Sequence, residues 1–164
     1  MPRPQLVLLM GIPASGKSTF AALHMPHGHV RISLDMLRTR AKEAKTFSDA
    51  LSMRQDVVVD NTNVLRTERQ RFIGPAKEAG YEVTGYFFRS VISECLRRNA
   101  LRTGNACIPD VGVIARSQAL ELPSLEEGFD RLYYVSIADG EFAIDKWKDD
   151  NEEKYDNRRS DEAI

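Results

Sequence analysis

One octapeptide constrains this chain more than anything else in it: Gly11-Ile12-Pro13-Ala14-Ser15-Gly16-Lys17-Ser18, followed by Thr19. It satisfies G-x-x-x-x-G-K-[ST]. It also stands after a short apolar run, Gln5–Met10, and before a segment, Lys17–Met25, that can begin a helix. A strand, a glycine-bounded turn and a helix in that order aim backbone N–H groups inward as an anion nest, and the helix N-terminus adds partial positive charge. Residues Gly11 to Thr19 are therefore expected to cradle a nucleotide, ATP or another nucleoside triphosphate. Lys17 would reach the β- and γ-phosphates and Ser18 would ligate Mg²⁺.

The same residues dispose of a competing reading. Arg3, then Leu6-Val7-Leu8-Leu9-Met10, then small residues imitate a secretory signal. Cleavage there would destroy the loop, so a cytoplasmic location is expected instead. No apolar run approaches the roughly 18 residues that cross a bilayer, so no membrane partner is expected. Two cysteines, Cys95 and Cys107, cannot build a disulfide framework or a zinc site. Cys95 falls on a predicted helix and reads as packing.

Beyond the loop, strands and helices alternate. His29–Ser33 reads as a second strand and Asp35–Leu51 as a helix with an acid near its start. Val57-Val58-Val59-Asp60 is a third strand, and Arg66–Ala79 a helix with a kink or break expected at Pro75. Tyr81–Phe88 is a fourth strand. Helices follow at Ser90–Thr103 and Pro109–Leu120, then a fifth strand at Arg131–Ile137. This is an α/β pattern, a mainly parallel five-stranded sheet with helices on both faces. At 164 residues it makes one domain, expected over 1–146. From Trp147 the charge density rises: residues 149–164 hold seven acids and three bases within a chain of net charge −1. A frayed or disordered tail is expected at 147–164. Arg outnumbers Lys 16 to 7, which suits bidentate phosphate contacts.

Four further groups of residues are candidates for chemistry. Asp60 ends a buried strand, where it can hold magnesium through water or orient a substrate group; capping the next turn is the plainer role. Asp35 and Arg38, three apart on a helix starting at a strand's carboxyl end, would share one face toward the ligand edge of the sheet. There a carboxylate can take a proton and an arginine can bind a phosphate. Arg98 and Arg102 are four apart, a like-charge pair that costs about 0.2–0.5 kcal/mol unless a polyphosphate lies against it. His24, His27 and His29 can be drawn as a metal site, but no Cys or acid joins them.

Taken together, Gly11–Thr19, Asp35 with Arg38, Asp60-Asn61-Thr62-Asn63 with Arg66, Arg98-Asn99 with Arg102, and Pro109 resemble the polynucleotide 5′-kinase family, in order, over about residues 5–120. The resemblance implies a three-layer phosphate-loop kinase fold with sheet order 2-3-1-4-5 and a lid at about 97–109. It implies Asp35 as general base toward a 5′-hydroxyl and Arg38 on the neighbouring acceptor phosphate. Arg102 would be a lid arginine on the transferring phosphoryl, with Arg98 supporting the phosphates, and Asp60, Thr62 and Asn63 would line the acceptor side. The segment between Asp35 and Asp60 is shorter than in the phage enzyme that typifies the family.

The function expected first is ATP-dependent phosphorylation of the 5′-hydroxyl end of DNA or RNA, with nucleic acid as partner and no obligate protein partner. A kinase of a small metabolite, nucleoside or sugar nucleotide is the second expectation. An ATP-binding interaction module is the third, disfavoured by the presence of both donor-side and acceptor-side residues.

Overall fold

The protein is described by a computed structural model covering residues 2–25 and 28–156. Its strands are β1 (Gln5–Met10), β2 (Val30–Ile32), β3 (Val57–Asp60), β4 (Glu82–Phe88), β5 (Arg131–Ala138) and β6 (Glu141–Lys146). They form one sheet in the order β2-β3-β1-β4-β5-β6. All pairings are parallel except the last. The first five strands take the expected order, because each crossover returns through a helix.

The pleat sorts β1 between two cores. Leu6, Leu8 and Met10 face a cluster containing Phe47 and Phe72, from helices α3 (Arg40–Ser52) and α4 (Arg66–Glu78). Val7 and Leu9 face the opposite cluster, with Phe20 and Ala21 of α1 (Lys17–His24). In register, Leu9 pairs with Asp60 of β3 and with Tyr86 of β4. The phosphate loop that follows β1 therefore opens beside Asp60, at the carboxyl edge where open α/β sheets bind ligands. Among the described residues no helix is long and apolar enough to cross a membrane.

The structure departs from the sequence expectations in four places. The helix expected over Asp35–Leu51 is two helices, α2 (Leu34–Leu37) and α3. Arg38 between them is left-handed at φ 71°, and the Thr39 hydroxyl caps α3 by accepting from the Lys42 amide at 3.1 Å. Asp35 and Arg38 thus do not share a helical face. No break occurs at Pro75, which sits in the last turn of α4, where its carbonyl still takes the Ala79 amide at 3.0 Å. The sheet has a sixth strand, because Asp139 and Gly140 form a two-residue turn with φ of 53° and 78° that folds β6 back on β5.

The expected frayed tail is not what residues 147–156 do. Trp147 and Tyr155 are buried and stack at 3.8 Å between ring centroids, and the Trp147 amide donates to Leu132. Two aromatic rings outweigh the charges around them, which stay at the surface. Residues 157–164 lie outside the described residues.

One buried ion pair ties the helical layer to the site. Arg69 of α4 is wholly inaccessible; its Nε and Nη2 donate to the two carboxylate oxygens of Glu127 at 2.8 and 3.1 Å. Its Nη1 donates to the carbonyls of Asn63, Val64 and Glu121. Arg69→Met should cost about 3–5 kcal/mol, since it strands the Glu127 carboxylate in the core. Urea unfolding reads the loss. Adding Glu127→Leu should restore part of it, and no recovery in the double variant would show that the three carbonyl contacts carry the effect.

Candidate active site

The loop between β1 and α1 takes the backbone form its sequence requires. Gly16 has φ 106°, a conformation costly for any side-chained residue, and it starts α1. Gly11 donates its amide to the Thr62 carbonyl at 2.9 Å, and Ile12 donates to Ser90 Oγ at 3.2 Å. The buried Ser15 lies within 3.4 Å of Lys17 Nζ. Lys17 is folded onto the loop itself, donating to the carbonyls of Gly11 and Ile12 at 2.9 and 3.0 Å. Burial pulls its ammonium down from 10.5 to about 8. Asp60 opposes that shift, and Arg102 and Arg116 add to it.

Beside Ser18 stands Asp60. Its Oδ2 accepts from the Ser18 hydroxyl at 3.0 Å and from the Arg31 guanidinium on β2. The next residue, Asn61, builds the floor under Asp35. Its side-chain oxygen accepts the Leu34 amide that begins α2 (2.8 Å), and its nitrogen donates to Glu43 at 2.9 Å. Asp35 follows Leu34, exposed at the start of α2, so the loop after β3 sets where the carboxylate sits.

These groups converge on one cavity of about 250 Å³. Pro13, Ala14, Lys17 and Ser18 line it from the loop, and Asp35, Asp60, Thr62 and Arg102 line it from elsewhere. A second hollow of about 570 Å³ also borders the loop. Gly16, Thr19 and Arg98 line it together with Ile137 and Phe142 of the β5–β6 hairpin. Ala14 and Arg102 border both.

Of the residues expected on the acceptor side, two are not brought to the cavity. Arg38 is exposed on the left-handed link between α2 and α3 and does not line it. Asn63 is buried and donates its side-chain amide to the Leu9 carbonyl at 2.8 Å, bracing the strand that feeds the loop. His24 stacks on Phe20 at 4.7 Å, and His27 lies outside the described residues. Among the described residues no group of three or more His, Cys, Asp or Glu could hold a metal. Cys95 is buried, and burial raises its thiol to about 11, so it is a packing residue.

The cavity also holds charged groups that nothing local in the chain marks out: Arg40, Glu68 and Arg116. Arg116, on α6 (Asp110–Ala119), donates from Nη2 to both Glu68 oxygens at 2.8 and 2.9 Å, and also reaches Thr62 Oγ1. Asn99, on α5 (Ile92–Ala100), grips both backbone groups of Ile108 and so ties down the segment that carries Arg102. Arg31 was likewise hidden among ordinary strand residues.

A mainly parallel sheet wrapped by helices, with a lysine-bearing anion loop at the carboxyl edge, defines a kinase-type phosphate-loop domain. Residues 6–120 match the family model described as an AAA domain, and the chain belongs to that family. The chain is 30% identical over 129 residues to the bifunctional polynucleotide phosphatase/kinase of Schizosaccharomyces pombe, covering 76% of this chain and 32% of that protein. It is 31% identical over 159 residues to an Acanthamoeba polyphaga mimivirus protein named for the same two activities, covering 89% and 37%. The chain thus spans about a third of the length of these curated relatives. The domain is related to polynucleotide kinases.

Solved structures agree on the fold. A gluconokinase from Sinorhizobium meliloti superposes with a TM-score of 0.60 at 22% identity, over 84% of this chain and 85% of that one. A chain of the Pnkp1/Rnl/Hen1 RNA repair complex gives 0.60 at 23% identity, over 73% and 45%. A chain of the AvrRxo1-ORF1:-ORF2 complex with ATP gives 0.70 at 15% identity, over 95% and 64%.

Proposed function

We propose that this domain transfers the γ-phosphoryl group of ATP to the 5′-hydroxyl end of a polynucleotide. The observation that carries the reading is the position of Asp35. An exposed carboxylate, on the helix whose first amide Asn61 accepts, lines the same cavity as Lys17 and Ser18. That arrangement suits a base poised to take the proton of an attacking hydroxyl while the loop holds the donor phosphates. The relatedness to polynucleotide kinases supports a nucleic-acid acceptor. Arg102 serves the transferring phosphoryl, Arg98 the donor phosphates, and Asp60 with Thr62 the acceptor side.

Ser18 Oγ and the Asp60 carboxylate place hard oxygen donors side by side, the kind Mg²⁺ prefers, so the residues present fit the metal. Bound there, magnesium would neutralise charge on the β- and γ-phosphates. The lid boundaries at about 97–109 belong to the same proposal.

A small-molecule acceptor is the second reading, favoured by the superposition with gluconokinase over most of both chains. Label transfer from γ-³²P-ATP with magnesium separates the two. Matched 5′-hydroxyl DNA and RNA oligonucleotides are set against a panel of nucleosides and sugars. Label at the oligonucleotide 5′ end supports the first reading, and label on sugars or nucleosides alone overturns it.

The lowered Lys17 also makes a prediction about donor binding. Only the ammonium form pairs with phosphate, and bound phosphate raises its pKa, so ATP binding takes up a proton above about pH 8. Affinity should be nearly flat below that point and then fall by up to about tenfold per pH unit. Titration calorimetry in buffers of different ionisation enthalpy reads the proton directly. Affinity independent of pH through this range would show that Lys17 stays charged in the free protein.

A further inference from the structure

The proposed base stands on a helix that packing does little to hold. α2 has four residues, and none of them is buried; Leu37, at its far end, rests partly against the core. Ser33, at the N-cap position, makes no side-chain cap, and Arg38 just past the helix is left-handed. The amide that opens α2, at Leu34, is taken instead by Asn61 Oδ1, from the loop after β3, at 2.8 Å. Asp35 is the next residue.

Asn61 can do this in one orientation only. A carboxamide is nearly symmetric in shape but not in chemistry, since one end accepts and the other donates. Its nitrogen meets Glu43 Oε2 at 2.9 Å, and the other Glu43 oxygen accepts from Arg40 Nη1 at 2.9 Å. Turning the Asn61 amide over would set oxygen against oxygen at Glu43 and N–H against N–H at Leu34. Two hydrogen bonds would become two repulsions. Glu43 lies in the first turn of α3 with its side chain 5% exposed, and it does not line the cavity. It therefore has no contact with a substrate held there; what it can govern is the amide.

We infer that Glu43 is a positioning residue for the proposed transfer. By fixing the orientation of the Asn61 amide it holds the start of α2, and with it the Asp35 carboxylate. The inference rests on the general-base reading above and deepens it. Asn61 follows Asp60, which accepts from Ser18, so one short stretch after β3 both meets the phosphate loop and seats the base. A base displaced by about 1 Å can lose about 10² in rate, so a buried residue that never touches substrate still acts on turnover.

Glu43→Leu tests this, because it removes the acceptor and keeps the bulk. Glu43→Gln gives Asn61 an oxygen again without the charge. Glu43→Ala takes the place of the leucine variant should its melting curve show that it does not fold. Exchange of the Leu34 amide hydrogen is followed by NMR, and ATP affinity by calorimetry. Turnover is read by 5′-end labelling of a 5′-hydroxyl oligonucleotide, with each variant also made in the Asp35→Asn background.

In Glu43→Leu the Leu34 amide should exchange at least about tenfold faster, while the amides of β1 keep their protection. The kcat should fall about tenfold with ATP affinity within about twofold of wild type, and Glu43→Gln should recover most of the loss. With Asp35 already replaced, Glu43→Leu should have little further effect, because the group it positions is gone. Unchanged exchange at Leu34 overturns the inference whatever the kinetics. An equal further loss in the Asp35→Asn background overturns it too, since Glu43 would then act elsewhere. So does a glutamine variant as impaired as the leucine one, which would make charge and not the acceptor oxygen decisive. If exchange responds as expected but Asp35→Asn turns over at the wild-type rate, the hold of Glu43 on α2 stands and the general-base reading falls. Exchange needs no acceptor, so failure to label any oligonucleotide removes the polynucleotide reading alone.

Discussion

Alanine in place of Arg102 is expected to lower kcat by about 10³–10⁵, with far less change in the ATP KM. The expectation comes from where the side chain stands. Arg102 borders both the cavity under the loop and the hollow beside the β5–β6 hairpin, and its charge depresses the Lys17 ammonium. In the proposed reaction the phosphoryl group passes from donor to acceptor within the first of these, which Lys17, Ser18 and Asp35 also line. A cation there gains most when negative charge spreads over the equatorial oxygens, so its loss falls on the transition state. Its one side-chain hydrogen bond among the described residues is weak, Nη1 to the Ala106 carbonyl at 3.3 Å, so little structure depends on the guanidinium. Steady-state kinetics of Arg102→Ala beside its melting curve make the check. A raised ATP KM with kcat unchanged would place Arg102 in donor binding only.

The second large effect is expected at Asp35. Asn keeps the size and the hydrogen-bonding shape while removing the basic oxygen, so Asp35→Asn should lower kcat by about 10²–10⁴. ATP binding should be nearly unchanged, because the proposed donor contacts come from the phosphate loop and not from α2. Calorimetric ATP titration and 5′-end labelling, run on the same preparation, separate the two quantities. Turnover at the wild-type rate would remove Asp35 from the chemistry. The seat of this carboxylate can be tested through Asn61, whose side chain caps the α2 amide at Leu34. Asn61→Ala should weaken kcat without touching ATP affinity, a positioning effect smaller than that of Asp35→Asn.

What could be read from the chain alone follows from how local each determinant is. The phosphate loop is contiguous, so its glycines, lysine and serine declare both the turn and its ligand. Asp60 could be placed because a strand of three valines points to its end. The Asp139-Gly140 turn was equally local, yet β6 was missed because Glu141–Lys146 alternates weakly and carries three charges. Trp147 and Tyr155 were read as tail for the converse reason: two large rings among many acids pack as core only when they find each other. The break at Arg38 depended on a threonine cap that looked like one polar residue among many in a helical run. Arg31, Arg40, Glu68 and Arg116 were beyond single-sequence reasoning. Each is an ordinary charged residue until the fold sets it against a partner from another element.

The two hollows that meet at Ala14 and Arg102 carry a consequence for the order of events. Ala14 and Arg102 are the residues common to their linings, so one hollow can be filled without displacing what fills the other. For the proposed reaction this favours a random-order ternary complex over a ping-pong cycle. Initial-velocity lines for the two substrates should intersect instead of running parallel. A chiral thiophosphoryl donor should then emerge inverted at phosphorus, the stereochemical mark of one direct displacement.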